Sequence, residues 1–311
     1  MATLLFTHPA CLDHDTGPGH PECADRLRAI IGALETEAFA LLERRLAPLA
    51  TREQIARVHD EDYIDSVFAS IPDQDYALLD GDTVVSPGSG EAALRAAGAL
   101  VAAVDAVIAG EADNAFCAVR PPGHHAEVDQ AMGFCVFNNV AIGALQAREE
   151  HGLERIAVVD FDVHHGNGTQ HMFEDDPGLF YASTHQWPLY PGTGAREERG
   201  CGNIVNAPLP PMAGSADFRL AMAEEVLPAL DRFRPELVII SAGFDAHAAD
   251  PLAMLELVEA DYAWVTNALV DLARTHCDGR LVSALEGGYN LAALAASAAA
   301  HVRALMHAGT S

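Results

Sequence analysis

The sequence has little positive charge. Its 311 residues include 18 Lys and Arg against 45 Asp and Glu, which gives a formal net charge of −27 at neutral pH. No basic stretch offsets this excess, so a nucleic-acid-binding surface is excluded. An acidic surface can steer cationic ligands toward a protein, and it can equally serve solubility alone. The composition leaves both interpretations open.

Several other features are missing. The six cysteines form no CxxC pair, which argues against a zinc knuckle and against a disulfide framework. Reduced thiols and a cytoplasmic location are therefore expected. The N-terminal "MATLLFTHPACLDHD" has no basic segment before its short apolar run, unlike a signal peptide. No uncharged apolar run reaches the roughly 18 residues of a membrane span, so no membrane contact is expected. Nothing in the sequence indicates an oligomeric state.

Repeats, low-complexity tracts and Pro/Ser-rich linkers are also absent, so we expect one globular domain over residues 1–311. Short apolar runs typical of strands buried on both faces are "TLLF", "NAFCAV", "RIAVVDF", "GLFYAS", "ELVIIS" and "RLVSAL". Helical patterns lie between them, for example at 90–111, 138–152 and 215–235. Strands that alternate with helices predict an α/β fold whose mostly parallel sheet has helices on both faces.

Polar residues follow four of these runs at the point where each run ends. "NAFCAV" continues into "RPPGHHAE", "RIAVV" into "DFDVHHGNG", "ELVIIS" into "AGFDAHAADP" and "RLVSAL" into "EGGYN". In doubly wound sheets, ligands bind beyond the carboxyl ends of the strands. Four such ends that carry His, Asp or Tyr beside glycine therefore predict one functional site at one edge of the sheet.

Asp162, His164 and Asp245 form a candidate metal site. Asp162 and His164 are two residues apart after one strand, so both can project to one side while Val163 faces away. Asp245 follows another strand and completes three ligands, the number that a catalytic zinc site takes from the protein. Two carboxylates leave the cation more Lewis acidic than thiolates would. Alternatively, Asp162 caps a helix and His164 is a loop residue; we interpret the adjacent His165 as structural.

His124 and His125 are adjacent after a "PPG" turn and form a candidate acid–base pair. Because like charges push neighbouring pKa values apart, we expect one neutral base and one more basic partner. Asp160 and Asn167 are available to set the tautomers of the two rings. Tyr289 follows two glycines and can donate a hydrogen bond to a carbonyl oxygen opposite a cation. Together these residues indicate metal-assisted hydrolysis of an amide; a surface loop and a core tyrosine are the alternatives.

Six motifs together resemble the zinc-dependent histone deacetylase family, which includes the acetylpolyamine amidohydrolases. They are "RPPGHHAE", "GFCVFNNVA", "DFDVHHGNGTQ", "YPGTG", "SAGFDAHAADPL" and "EGGYN". The resemblance extends from "GHPECADRL" near the start to "EGGYN" near the end, and the "HHGNGTQ" form is similar to the class II branch. It implies the three-layer α/β/α arginase–deacetylase fold, one zinc ion and removal of an acyl group from a lysine-like amine.

The resemblance also implies roles for individual residues. The implied zinc ligands are Asp162, His164 and Asp245. The implied catalytic residues are His124, His125, Asp160, Asn167 and Tyr289, with His125 as the main base and acid. The implied walls of the acyl-lysine tunnel are Gly133, Phe134, Tyr190, Leu252 and Gly287, although the family more often has Phe at the place of Tyr190. A structural potassium ion is implied at Asp160, Asp162, His164, Ser183 and Thr184.

Relatives of this fold define the alternatives. Dinuclear ureohydrolases need further carboxylates where this chain has Gly166 and Gly243, so one cation is expected, with iron(II) and cobalt(II) as alternatives to zinc. Polyamine-preferring members carry Glu at the place of Leu252, which favours acyl-lysine in peptides or proteins as the substrate. Small acylated amines such as acetylpolyamines are the second candidate. A non-catalytic acyl-lysine-binding module would lack a catalytic group, and all of these groups are present.

Overall fold

A computed structural model describes residues 2–307 of the chain. The strands are β1 (Thr3–Thr7), β2 (Glu43–Leu46), β3 (Ala77–Leu78), β4 (Val84–Val85), β5 (Asn114–Cys117), β6 (Ile156–Asp160), β7 (Leu179–Gln186), β8 (Ile204–Leu209), β9 (Leu237–Ala242) and β10 (Leu281–Leu285). The α-helices are α1 (Ala24–Leu34), α2 (Arg52–Ala56), α3 (Glu61–Ser70), α4 (Ser89–Ile108), α5 (Asn139–Glu149), α6 (Asn167–Phe173), α7 (Ser215–Ala221), α8 (Leu227–Phe233), α9 (Glu259–Cys277) and α10 (Leu291–Met306).

Eight strands form one sheet in the order β2-β1-β5-β10-β9-β6-β7-β8. Every neighbouring pair in this sheet is parallel, whereas β3 and β4 form a separate antiparallel pair. The central strands β5, β10, β9 and β6 are buried along their whole length, because helices cover both faces of the sheet. The predicted α/β fold with a parallel sheet is confirmed.

The predicted helical patterns are also present. The pattern at 90–111 corresponds to α4 and the one at 138–152 to α5, and these two helices pack against each other and against the sheet. The pattern at 215–235 corresponds to α7 and α8, which a π-helical turn at Met222–Val226 joins into one helical segment. Helices α1, α9 and α10 form another packed group. No helix within residues 2–307 is long and apolar enough to cross a bilayer.

Two strands of the sheet are missing from the sequence prediction. β2 and β8 are its edge strands, so each pairs with only one neighbour. β2 is mostly exposed and contains Glu43, Arg44 and Arg45. β8 contains Pro208, which an edge strand tolerates because one side of its backbone needs no pairing. Neither strand forms the continuous apolar run by which the interior strands are identified.

The four strands with polar ends are neighbours in the sheet. Cys117 pairs with Ala284, Ala284 pairs with Ser241, and Ser241 pairs with Asp160. The strands β5, β10, β9 and β6 therefore end at a common level. The segments that follow them leave the same edge side by side, at residues 118–125, 286–289, 243–250 and 161–165.

Candidate active site

Asp162, His164 and Asp245 converge at this edge, as the sequence predicts. Nδ1 of His164 lies 3.1 Å from Oδ1 of Asp162 and 3.2 Å from Oδ2 of Asp245. Ligand atoms of the three side chains lie within 4.8 Å of one another. Backbone N–H groups orient the two buried carboxylates: Gly287 donates to Oδ2 of Asp162 and Val163 donates to Oδ1 of Asp245, each over 2.8 Å. One imidazole nitrogen and two carboxylates are a donor set that fits a catalytic divalent cation.

The charges of these three side chains depend on one another. Burial and the nearby Asp162 raise the pKa of Asp245 to about 7. Burial opposes the charged form of His164, but its hydrogen bonds to Asp162 and Asp245 raise the pKa of this imidazole to about 10. Because a ligating imidazole must be unprotonated at the ligating nitrogen and ligating carboxylates must be ionised, cation binding at this site is coupled to proton release.

Two glycines leave no space for further ligands beside the carboxylates. A Cβ on Gly243 would overlap the carboxylate of Asp162, and a Cβ on Gly166 would overlap that of Asp160. These are the two positions at which a dinuclear ureohydrolase needs additional carboxylates. The packing around Gly166 and Gly243 therefore leaves no space for an additional carboxylate side chain at either position.

His124 and His125 lie with their ring centroids 4.0 Å apart, and both are buried. Nδ1 of His124 is 2.9 Å from Oδ2 of Asp160, and Nδ1 of His125 is 2.8 Å from Oδ1 of Asn167. Burial opposes the charged form of His124, but Asp160 and Asp162 raise its pKa to about 10. Burial and the two neighbouring imidazoles hold the pKa of His125 well below its usual range. The two rings therefore differ in basicity, and His124 is the more basic.

Glu286 belongs to the "EGGYN" motif, but sequence reasoning assigned it no role. Its Oε2 accepts the backbone N–H of Gly123 over 2.7 Å and that of His124 over 3.2 Å. Burial raises the pKa of Glu286 to about 7. His124, Cys135 and Glu286 are close enough to form a second metal-binding group by distance. Oε2 of Glu286 already accepts hydrogen bonds from two backbone N–H groups. This geometry indicates that the glutamate fixes the turn that carries the two imidazoles.

Tyr289 is held from two sides. Its backbone N–H donates to Oδ2 of Asp250 over 2.7 Å. The guanidinium of the fully buried Arg26 lies 4.9 Å from the centre of its ring and donates to the carbonyl of Gly288 over 2.6 Å. Burial raises the pKa of the Tyr289 phenol well above its usual range. The phenol therefore stays protonated and can donate a hydrogen bond.

A cavity of about 100 Å³ adjoins these groups. Its lining residues are Asp82, His125, Gly133, Phe134, His164, Tyr190, Leu252 and Tyr289. Four of the five predicted tunnel residues line it. The exception is Gly287, which packs against the carboxylates of Asp162 and Asp245.

Asp82 lines this cavity although no sequence motif identifies it. It precedes β4, and its backbone N–H donates to Oδ1 of Asp80 over 3.0 Å. Burial and the neighbouring Asp80 raise the pKa of Asp82. Leu252, as the sequence indicates, offers no charge to a distant ammonium group, but Asp82 adds a carboxyl group to the wall of the same cavity.

The residues of the implied potassium site also lie together. Asp160 at the end of β6 pairs with Ser183 of β7, and Asp162 and His164 follow directly. Oγ1 of Thr184 is buried and has no hydrogen-bond partner within the described residues. A buried hydroxyl in this position has an unused lone pair that a cation can accept. The residues present thus fit a monovalent cation.

His165 is adjacent to these groups but points elsewhere. Its Nδ1 lies 2.9 Å from Oγ1 of Thr193, and its Nε2 lies 2.8 Å from Oε1 of Gln170. Burial holds the pKa of His165 well below its usual range. Both nitrogens are used by structural hydrogen bonds, in agreement with the sequence interpretation.

Comparisons with known proteins extend over nearly the whole chain. The histone deacetylase domain profile matches residues 20–305. Histone deacetylase 14, chloroplastic, from Arabidopsis thaliana is 41% identical, and the alignment covers 98% of this chain and 77% of that protein. A histone deacetylase-like amidohydrolase from Pseudomonas aeruginosa is also 41% identical, with 93% and 82% covered. A probable deacetylase from Archaeoglobus fulgidus is 40% identical, with 94% and 82% covered. The crystal structure of the HDA15 HD domain has a TM-score of 0.94 at 38% identity, with 100% of this chain and 89% of that chain covered.

Proposed function

The chain belongs to the histone deacetylase family and is a hydrolase of amide bonds, and we propose that it removes acetyl or other acyl groups from acyl-lysine in peptides or proteins. One observation supports the proposal: His125, His164 and Tyr289 line one cavity, the other two candidate metal ligands lie beside His164, and His124 lies beside His125. Together these groups suit attack on an amide carbonyl.

Zinc is the proposed cation, held by Asp162, His164 and Asp245. Nitrogen and carboxylate oxygen donors, three in number, are those of catalytic zinc sites, and iron(II) and cobalt(II) accept the same donors. When bound, the cation supplies Lewis acidity that polarises the amide carbonyl and makes a water molecule acidic. The buried, backbone-bonded carboxylates support this assignment because their orientation is fixed before the cation binds.

His125 is the proposed base. Its lowered pKa leaves the ring neutral near pH 7, so it can accept a proton from the attacking water. It then donates that proton to the nitrogen of the leaving amine. His124 remains charged through Asp160 and stabilises the negative charge that develops nearby. Tyr289 donates a hydrogen bond to the oxygen of the scissile carbonyl.

A structural potassium ion is proposed at the ends of β6 and β7. The residues that would hold it are Asp160, Asp162, His164, Ser183 and Thr184, in part through backbone carbonyl oxygens. The unpartnered Oγ1 of Thr184 supports this assignment. A cytoplasmic or otherwise reducing location is also proposed, because all six cysteines are unpaired.

Acetylated polyamines are the second candidate substrates. A carboxyl group in the wall of the cavity can attract a second ammonium group of such an amine, and Asp82 provides one. The carboxylate oxygens of Asp82 can also accept hydrogen bonds from backbone N–H groups of a peptide whose acyl-lysine enters the cavity. Asp82 therefore supports both candidates, whereas Leu252 supports the peptide.

A parallel turnover assay tests the proposal. Zinc-loaded enzyme is given acetyl-lysine peptides, peptides with longer acyl chains and acetylated polyamines at matched concentrations. We expect the highest kcat/KM for an acyl-lysine peptide, loss of turnover on chelation, and recovery when zinc is returned. A His125→Ala variant that retains its zinc is the control and should be inactive. Higher kcat/KM for the polyamines would favour the second candidate, and no hydrolysis of any of these amides would refute the proposed activity.

A further inference from the structure

The two imidazoles of the site have different hydrogen-bond partners. His124 contacts the carboxylate of Asp160, whereas His125 contacts the uncharged amide of Asn167. A carboxylate can only accept a hydrogen bond from the ring, but an amide offers either an oxygen or an NH2 group, depending on its orientation. The other hydrogen-bond partners of Asn167 therefore determine which end of its amide faces His125.

Glu127 is one of these partners and can determine the orientation of the amide. Nδ2 of Asn167 donates to Oε1 of Glu127 over 2.5 Å and to the carbonyl of His125 over 3.2 Å. An ionised carboxylate has no hydrogen to donate, so it bonds only the NH2 end of the amide. The opposite orientation would place two acceptor oxygens against each other. With Nδ2 directed to Glu127, Oδ1 is directed to His125.

The glutamate is itself held in place. Its backbone N–H donates to the carbonyl of Gln130 over 2.9 Å, and its carbonyl lies 2.8 Å from Nδ1 of His59. On the outer side, its carboxylate lies 2.9 Å and 3.0 Å from Nδ1 of His171. This hydrogen bond raises the pKa of His171. The carboxyl side chain is 18% exposed, so the pair lies between the buried Asn167 and solvent.

We propose that Glu127 is a positioning residue that locks the Asn167 amide and thereby fixes His125 with its proton on Nδ1 and its lone pair on Nε2. The proposal rests on the proposed function, in which His125 is the base. Nε2 is then the nitrogen available to water. If the amide turned over, its NH2 group would face Nδ1, and the neutral ring would carry its proton on Nε2 instead.

The arrangement also keeps the two imidazoles different. Asp160 contacts His124 directly, so its charge favours the protonated ring. The charge of Glu127 reaches His125 only through an intervening amide, which fixes the tautomer with a smaller effect on protonation. The Asn167 amide thus orients the His125 ring without strongly favouring its protonated form. A directly bonded second carboxylate would bring the two rings closer in basicity.

A reciprocal exchange of the two side chains tests this inference. Glu127→Gln replaces the carboxylate by an amide that can pair with either end of Asn167, so we expect kcat to fall about tenfold with KM and zinc content unchanged. Asn167→Asp alone places two carboxylates in contact and should lower kcat further. In the double variant, one aspartate oxygen accepts from His125 and the other accepts from the new glutamine NH2 group. We expect its kcat to exceed that of Asn167→Asp alone.

Two further measurements separate this role from others. His171→Gln is the matched control, because it changes the outer contact of Glu127 and leaves the inner one intact; its kcat should equal that of the unmodified enzyme. Ring ¹⁵N chemical shifts of His125 report the tautomer without any turnover. They should show the Nδ1–H form in the unmodified protein and a mixture in Glu127→Gln.

Unchanged kcat and an unchanged His125 tautomer in Glu127→Gln would overturn the inference, as would a double variant no better than Asn167→Asp alone. A purely structural role predicts a lower melting temperature that the exchange does not restore. Absence of turnover in the unmodified enzyme would refute the proposed function instead, and the NMR result would still test the position of Glu127.

Discussion

The backbone of Gly243 lies directly against the carboxylate of Asp162, and no side chain fits between them. We expect Gly243→Ala to lower zinc affinity by at least about tenfold, because the added methyl group must displace a carboxylate that orients the cation. Competition with a chromophoric chelator measures this affinity.

Gly32→Ala is the matched control for that substitution. Gly32 lies in α1, and a Cβ there would have no atom within 4 Å. The control should keep its zinc and gain about 0.5–1 kcal/mol of stability, since alanine loses less entropy in a helix than glycine does. A Gly243→Ala variant with the same zinc affinity as this control would contradict the packing argument.

Tyr289 should affect turnover and not metal binding. Tyr289→Phe removes one hydrogen-bond donor but retains the ring beneath Arg26 and the backbone bond to Asp250. We expect kcat to fall about 10²–10³-fold on an acetyl-lysine peptide, the usual cost of losing an oxyanion donor, with full zinc content. Tyr190→Phe, in the wall of the same cavity, is the control and should remain active. Equal rates for the two variants would remove the phenol of Tyr289 from the mechanism.

Asp82 should affect substrate binding and not the chemical step. We expect Asp82→Asn to raise KM about fivefold for substrates with a second ammonium group, or with peptide N–H groups beside the acyl-lysine. This corresponds to about 1 kcal/mol for a partly solvated charged contact. The control is an uncharged acylated alkylamine, for which KM should not change, and kcat should be the same for all substrates. A uniform fall in kcat would instead indicate that the substitution disturbs the cavity.

The central part of the fold could be predicted from sequence because its strands are buried on both faces. The runs that contain β5, β6, β9 and β10 are apolar without interruption, and burial makes this pattern obligatory. The edge strands β2 and β8 are under no such constraint, so Glu43 or Pro208 is tolerated in them. The same logic applies to the predicted site. Its residues immediately follow interior strands, and the register of those strands brings them together.

Other residues of the site could not be predicted because tertiary contacts define them. Asp82 comes from the segment before a two-residue strand, and only the folded chain shows that it lines the cavity. Glu127 and Glu286 lie within the quoted motifs, but their partners are an amide and backbone N–H groups distant in sequence. Residue type at a strand end predicts which groups can react. It does not predict which groups orient them.

His59 contacts Glu127 beside the site, and its titration affects the stability of the protein at acidic pH. It is buried, its Nδ1–H donates to the carbonyl of Glu127 over 2.8 Å, and its Nε2 accepts the backbone N–H of Asn138 over 2.9 Å. The bond from Asn138 requires the neutral ring, because Nε2 of a protonated imidazole cannot accept a hydrogen bond, and burial lowers the pKa of His59 to about 4. Burial likewise lowers the pKa of His185 to about 4 and that of His301 to about 3.

We therefore expect the contribution of these three histidines to the free energy of unfolding to decrease as the pH falls from about 6.5 to about 4. In the unfolded chain each of the three titrates near its usual pKa of about 6.5, so at these residues the unfolded state binds more protons than the folded state throughout this window. A histidine whose pKa falls to about 4 on folding lowers stability by about 2 kcal/mol at pH 5 relative to pH 7. His59→Gln cannot take up this proton, so the difference in unfolding free energy between pH 7 and pH 5 should shrink by about 2 kcal/mol. Urea unfolding of both proteins at the two pH values measures this difference, and an identical difference in variant and unmodified protein would show that His59 does not carry the effect.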